Sequence, residues 1–132
     1  MSIQKVNHPV ARLVDAEVVA KSGGTYTSDW YDTNGWTDKV VTVDLDDTGT
    51  ADVTIAMQVS NQGYYELNNK TITTDDYVSV TIIANLATET QVRYDSDDVD
   101  DLKHPIRSTR FLITNNEGTT ATTVTVDIEG WS

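Results

Sequence analysis

The feature that most constrains this chain is a period-two alternation of β-branched residues. Thr, Val and Ile contribute 21, 16 and 8 residues, which is 45 of 132, while Leu contributes only 6. Branching at Cβ favours the pleated strand over the helix. In one clear run, Val53, Ile55, Met57 and Val59 alternate with residues that are mostly small or polar, as in a strand with one face in the core. We therefore predict an all-β chain.

Eight segments show this alternation. It is strong over residues 40–45, 53–59, 78–84, 109–113 and 122–128, and weaker over 13–19, 64–72 and 88–94. Stretches rich in Gly, Asn and Asp separate the segments and favour turns. The pattern predicts an antiparallel eight-stranded β-sandwich without helices, with a jelly roll as the leading topology and an immunoglobulin-like sandwich as the alternative.

The chain length predicts one domain. Residues 1–10 are predicted to form an extended N-terminal arm, because Asn7-His8-Pro9 interrupts regular structure, and residues 11–132 a single β-sandwich domain. The arm either lies on a neighbouring subunit or is a frayed terminus. The first 20 residues contain no long apolar run behind a basic region, so neither a signal peptide nor a transmembrane segment is expected.

The charge of the chain is strongly negative and unevenly distributed. The sequence has 16 Asp and 5 Glu against 5 Lys and 4 Arg, a formal net charge of −12, yet residues 1–25 carry a net +1. This balance argues against partners with phosphate groups, so we expect neither nucleic-acid binding nor membrane insertion. Because molar salt screens such repulsion, the composition indicates a halophile's protein, with an acidic mesophilic protein as the alternative.

Two segments carry a family resemblance. Residues 26–36 contain a Thr/Ser-rich stretch, an aromatic residue and an Asp-Thr-Asn-Gly-Trp turn before an alternating strand. Residues 107–126 contain an Arg-rich strand ending in Asn, a polar turn and a Thr/Val strand. In these features the chain resembles small jelly-roll structural proteins of tailed viruses. The acidic stretch between Asn85 and Pro105 replaces the family's short connector, so any family role of that edge does not carry over.

Combined with the halophilic composition, the resemblance implies a non-enzymatic virion protein of a tailed virus that infects a halophilic archaeon. It would be a capsid decoration or tail-associated component, located in the virion after assembly in the host cytoplasm. Its expected partners are further copies of itself, in a symmetric homo-oligomer, and other virion proteins such as the major capsid protein. A small glycosidase or lyase is a further alternative, because two of the 21 acidic residues could form a carboxylate pair.

The acidic run at residues 95–101 is a candidate metal site. Asp95, Asp97, Asp98 and Asp101 supply the oxygen ligands that Ca²⁺ prefers. The run does not match the EF-hand pattern, whose sixth and twelfth positions are Gly and Glu. The alternative is a solvated acidic loop, and no other cofactor is predicted.

Aromatic residues form two clusters that are candidates for binding. The clusters are Trp30, Tyr31 and Trp36, near the polar residues Asp29, Asp32 and Asn34, and the pair Tyr64 and Tyr65. Aromatic rings of this kind stack on sugars or anchor protein interfaces. This supports an alternative function, a carbohydrate- or receptor-binding module that engages host surface glycans. The other interpretation places Trp36 and one member of each adjacent pair in the core.

Two of the four arginines, Arg107 and Arg110, flank one predicted strand. Arg pairs bidentately with carboxylates, which are abundant in this chain. We therefore expect at least one of the two to form an ion pair between strands or between subunits.

Overall fold

The computed structural model describes residues 5–46, 51–87 and 91–132. They form nine β-strands: β1 Asn7–Val19, β2 Gly24–Thr27, β3 Tyr31–Asp32, β4 Asp38–Asp46, β5 Val53–Ser60, β6 Val78–Leu86, β7 Val92–Asp95, β8 Ser108–Asn115 and β9 Thr122–Trp131. A short helix, α1 Tyr64–Asn68, precedes β6, and one 3₁₀ turn, Asp100–Lys103, precedes β8. In the described parts of the chain, no helix has the length and apolar character needed to cross a membrane.

The strands form two antiparallel sheets. One sheet has the order β1-β9-β4-β7, and the other has the order β2-β8-β5-β6, with β3 also paired to β8. Each sheet combines strands from the two halves of the chain, and the path crosses repeatedly between the sheets. This is the order of a jelly roll. The prediction of an all-β, antiparallel jelly-roll sandwich is confirmed.

The predicted strand count of eight is wrong, because one predicted strand is a helix and two short strands were missed. Residues 64–72 form α1 and a loop, in which Leu67 alone is buried. The strands β2 and β3 have no alternating apolar residues, and both pair with β8 along the same edge. They are two segments of one interrupted edge strand. Of the predicted strand 88–94, residues 92–94 lie in β7 and residues 88–90 lie outside the described residues.

Side-chain hydrogen bonds hold the chain where this edge strand is interrupted. The Ser28 hydroxyl accepts the Phe111 amide at 2.9 Å. The Asn68 side chain accepts the Trp30 amide at 2.8 Å and donates to the Trp30 carbonyl at 3.0 Å. The Asn68 carboxamide therefore pairs with the Trp30 backbone as a strand would, and this pairing joins α1 to the edge strand.

The core lies between the two sheets. Alternate residues of β4 and β9, including Val41, Val43, Val126 and Ile128, are fully buried, and those of β5 and β8 face them from the other sheet. The inward residues are those that the period-two pattern identifies. The inward side chains of the two sheets, many of them β-branched, thus fill the space between the sheets.

Part of the predicted N-terminal arm belongs to the sheet. Asn7 pairs with Trp131 and His8 with Gly130, so residues 7–10 are the first residues of β1. The amide of Val6 also donates to the Ser132 carbonyl at 2.8 Å. Pro9 is tolerated because β1 is the outermost strand of its sheet. Residues 1–4 of the predicted arm lie outside the described residues.

Candidate functional site

The predicted site residues lie at one end of the sandwich. At this end β1, β4 and β8 begin and β5, β7 and β9 end, as the antiparallel register requires. The loops at residues 28–37, 61–77 and 96–107 join strands here. We call this end of the molecule the aromatic end, because all the aromatic residues singled out from the sequence lie on the first two of these loops.

Trp36 closes the core at the aromatic end. It is 4% exposed, its ring stacks on that of His8 with centroids 4.8 Å apart, and Tyr31 meets it edge-on at 5.9 Å. The same ring lies against the backbone of Gly130, where any Cβ would overlap it. Trp36 therefore has a structural role, and its faces are already covered.

Beneath Trp36 lies a buried lysine that the sequence analysis did not identify. The Lys39 ammonium donates to the carbonyls of His104 at 2.7 Å, Leu102 at 3.4 Å and Trp36 at 3.5 Å. Burial lowers the pKa of Lys39 to about 8. Its burial could have been predicted from its position in the sequence, since Lys39 continues the inward alternation of Val41 and Val43. Lys39 ties the 3₁₀ turn to the start of β4.

Arg110 lies between two aromatic rings rather than in an ion pair. Its guanidinium carbon is 4.6 Å from the centroid of the Trp30 ring and 5.2 Å from that of Tyr77, and its Nε donates to Gln58 at 2.7 Å. Burial lowers the pKa of Arg110, although the group stays charged. Neither Arg110 nor Arg107 forms an ion pair with a described residue. Ion pairing between subunits stays a prediction.

A groove of about 560 Å³ opens at the aromatic end. Its walls come from β1, from β3 and the loops on either side of it, and from α1: His8, Pro9, Asp29, Trp30, Tyr31, Asp32, Asn34, Trp36, Tyr64 and Asn68. Four of the five predicted aromatic residues meet here, although they come from segments about 30 residues apart in sequence. Tyr65, which is 75% exposed, is not among the residues that line the groove.

The groove carries negative charge. Asp29 and Asp32 line it, and among the described residues no Lys or Arg does. One oxygen of Asp32 accepts the amide of Asn34 at 3.0 Å and so shapes the turn before Trp36. An anionic ligand would be repelled by the two carboxylates.

The loop that carries Tyr64 is held by Asp76. The Asp76 carboxylate accepts hydrogen bonds from Lys70 Nζ at 2.8 Å, from the Thr73 amide at 2.8 Å and from the Gln62 side chain at 2.9 Å. The hydrogen bond from Lys70, followed by that from Thr73, holds the pKa of the Asp76 carboxyl well below its usual range. These bonds fix residues 62–76 as one unit, and a smaller depression of about 280 Å³ lies beside them.

The predicted cation ligands at residues 95–101 form a tight turn. One Asp95 oxygen accepts the amides of Asp97 at 2.9 Å and Asp98 at 3.3 Å, and Asp98 accepts the Asp95 amide at 3.2 Å. Within residues 5–46, 51–87 and 91–132, the structure gathers no group of three or more side chains that could hold a metal ion. The Ca²⁺ site therefore stays a prediction, and no group of ligands among the described residues supports it.

No protein-family model and no curated protein matches this sequence. Solved structures do match its fold. That of the infectious bursal disease virus Gx strain has a TM-score of 0.54 at 9% identity, over 98% of this chain and 33% of that one. The crystal structure of the infectious bursal disease virus VP2 subviral particle has a TM-score of 0.56 at 9% identity, over 97% of this chain and 33% of that one. This chain thus spans about a third of each of those proteins and shares their jelly-roll fold.

Proposed function

We propose that this protein is a non-enzymatic virion structural protein. In its specific form, the proposal is a capsid decoration or tail-associated component of a tailed virus of a halophilic archaeon, which assembles as a symmetric homo-oligomer. The observation that supports this most is the jelly-roll fold. Almost the whole chain matches part of the structures of infectious bursal disease virus proteins. A fold alone does not define a function, so the proposal needs a direct test.

The charge of the surface supports the halophilic part of this proposal. Lys5, Arg12, Lys70 and Lys103 pair with acidic residues, and these pairs are mostly exposed. The chain nevertheless has 12 more acidic than basic residues. A surface with this excess is tolerated best where salt screens its repulsion.

The tailed-virus assignment rests on the resemblance of residues 26–36 and 107–126 to the small jelly-roll proteins of such viruses. The first segment contains the end of β2 and all of β3, which form the edge of their sheet, and the second contains β8, with which both pair, and the start of β9. The virion location and the partners, which include the major capsid protein, follow from that assignment.

Association with particles is the decisive experiment. Particles purified through a density gradient in molar salt should contain this protein at a fixed ratio to the major capsid protein, measured by quantitative mass spectrometry. An abundant acidic host protein serves as the control for adventitious carry-over. If the amount of this protein in the particle fraction falls on purification as much as that of the host protein does, the virion proposal is refuted.

The oligomer is tested separately with the purified chain. Light scattering in molar KCl should give one closed oligomer over a range of concentrations. Deletion of residues 1–4 removes the outer part of the predicted arm and leaves the described hydrogen bonds of β1 in place. If that arm lies on a neighbouring subunit, the deletion should reduce the oligomer without changing the Tm of the sandwich. A monomer at every concentration would exclude the homo-oligomer.

A further inference from the structure

We propose that the groove at the aromatic end binds a neutral saccharide. Its volume of about 560 Å³ is within the range of about 300–1,000 Å³ typical of small-molecule sites. The proposal concerns a binding site and does not depend on whether the protein belongs to a virion.

Several polar groups of the groove have no partner among the described residues. Trp30 is 4% exposed, and its indole Nε1–H is buried without a hydrogen bond. The hydroxyls of Tyr31 and Tyr64, the Asp29 carboxylate and the second oxygen of Asp32 also make no hydrogen bond to a described residue. The exposed phenol hydroxyls and carboxylate oxygens are therefore open to a ligand, whereas the indole Nε1–H is buried beneath the surface.

These free groups include both donors and acceptors. The two phenol groups donate and accept, while the two carboxylates only accept. A sugar hydroxyl can donate and accept at once, so neighbouring hydroxyls match this mixed set. Each hydroxyl that donates to Asp29 or Asp32 makes a charge-assisted hydrogen bond, which is stronger than a neutral one.

Other classes of ligand fit less well. The two carboxylates oppose phosphate, sulfate and acidic sugars. A cation would be attracted by the carboxylates, but an aromatic cage for an ammonium needs several free ring faces, and the two tryptophans do not offer theirs. Arg110 already covers a face of Trp30, and Trp36 is stacked on His8 and lies against Gly130.

The available stacking surface is the ring of Tyr64, which is 45% exposed, with the ring of Tyr31, which is 36% exposed. Of the aromatic residues that the sequence pattern singled out for binding, Tyr64 therefore has the most exposed ring in the groove. Its neighbour Tyr65 is more exposed but does not line the groove. Tyr64 and Tyr65 are neighbours on α1, so substitution of Tyr65 is a matched control for substitution of Tyr64.

The experiment uses saturation-transfer NMR on the whole protein in molar KCl, with a panel of neutral hexoses, N-acetylhexosamines and their disaccharides. Glucosamine and a lysine-rich peptide serve as cationic probes, and sialic acid as an anionic probe. We expect at least one neutral saccharide to bind. Tyr64→Ala should weaken that binding about tenfold, and Asp29→Asn should also weaken it, while Tyr65→Ala should leave it unchanged.

Three results would overturn the proposal: no binding by any neutral member of the panel, equal loss in Tyr64→Ala and Tyr65→Ala, or preference for a cationic probe. Tyr64 and Asp29 are exposed, so their variants should fold. The amide NMR spectrum of each variant checks this. Because particle association is measured separately, failure here would not count against the virion proposal.

Discussion

Lys39 offers a quantitative test of the packing at the aromatic end. Its side chain is fully buried, and burial lowers its pKa from 10.5 to about 8. One pKa unit corresponds to about 1.4 kcal/mol, so the charged form is disfavoured on folding by about 3 kcal/mol relative to the neutral amine. The folded-state pKa lies below the unfolded one, so the unfolded chain binds more protons between these two values. The free energy of unfolding therefore rises with pH across that window.

The perturbation is Lys39→Met, which keeps an unbranched side chain and removes the titrating group. The substitution also removes the donor to the carbonyls of Trp36, Leu102 and His104, which lowers the stability of the variant. Near neutral pH it also removes a buried charge, which raises that stability, so the two effects oppose each other. We expect the difference in unfolding free energy, wild type minus variant, to rise by about 2.5 kcal/mol between about pH 7 and pH 10. This corresponds to about 10 °C in Tm.

Urea unfolding of both proteins at fixed ionic strength measures this difference. The tyrosines and the other lysines titrate in both proteins, so their contributions cancel in the subtraction. A difference that stays constant from neutral to alkaline pH would refute the reasoning. If the variant does not fold, the side-chain NMR signal of Lys39 in the wild type gives the same answer: a midpoint near 8 supports the burial of the ammonium, and one near 10.5 contradicts it.

Three further predictions follow from charge and packing. The Tm should rise by several degrees from about 0.1 M to about 1 M KCl; an unchanged Tm would remove the main support for a halophilic source. Gly130→Ala should destabilise the protein by about 2 kcal/mol, because the added Cβ overlaps the Trp36 ring, whereas Gly118→Ala has open space and should be neutral in thermal melts. Asn68→Ala should cost about 2 kcal/mol in urea unfolding, because it removes two hydrogen bonds to the Trp30 backbone; an unchanged midpoint would contradict that role.

The fold could be predicted where a strand has one face in the core. The strands β4, β5, β8 and β9 are long, and most of their inward positions, although not Lys39 or Asn115, are β-branched or large apolar residues, so the alternation is visible in the sequence. The strands β2 and β3 lie on an edge, and their residues are mostly exposed or partly buried. Their position depends on pairing with β8 and leaves no periodic signal. The same limit made residues 64–72 resemble a strand, since the helix there depends on the burial of Leu67 and on the hydrogen bonds between Asn68 and the distant Trp30.

The candidate site could be predicted by residue type but not by role. The sequence analysis singled out Trp30, Trp36, Tyr64 and Tyr65 together, because aromatic rings near polar residues look alike whether they bind a ligand or close a core. Which role each takes is decided by contacts with residues distant in sequence: Gly130 leaves the space that Trp36 fills, and Arg110 covers a face of Trp30. Once both indoles are committed to the fold, the exposed tyrosine that faces the groove is the ring left for recognition. Whether an aromatic ring can contact a ligand thus depends on the residues packed around it. Substitution of Tyr64 should therefore change binding without changing stability, whereas substitution of either tryptophan would change both.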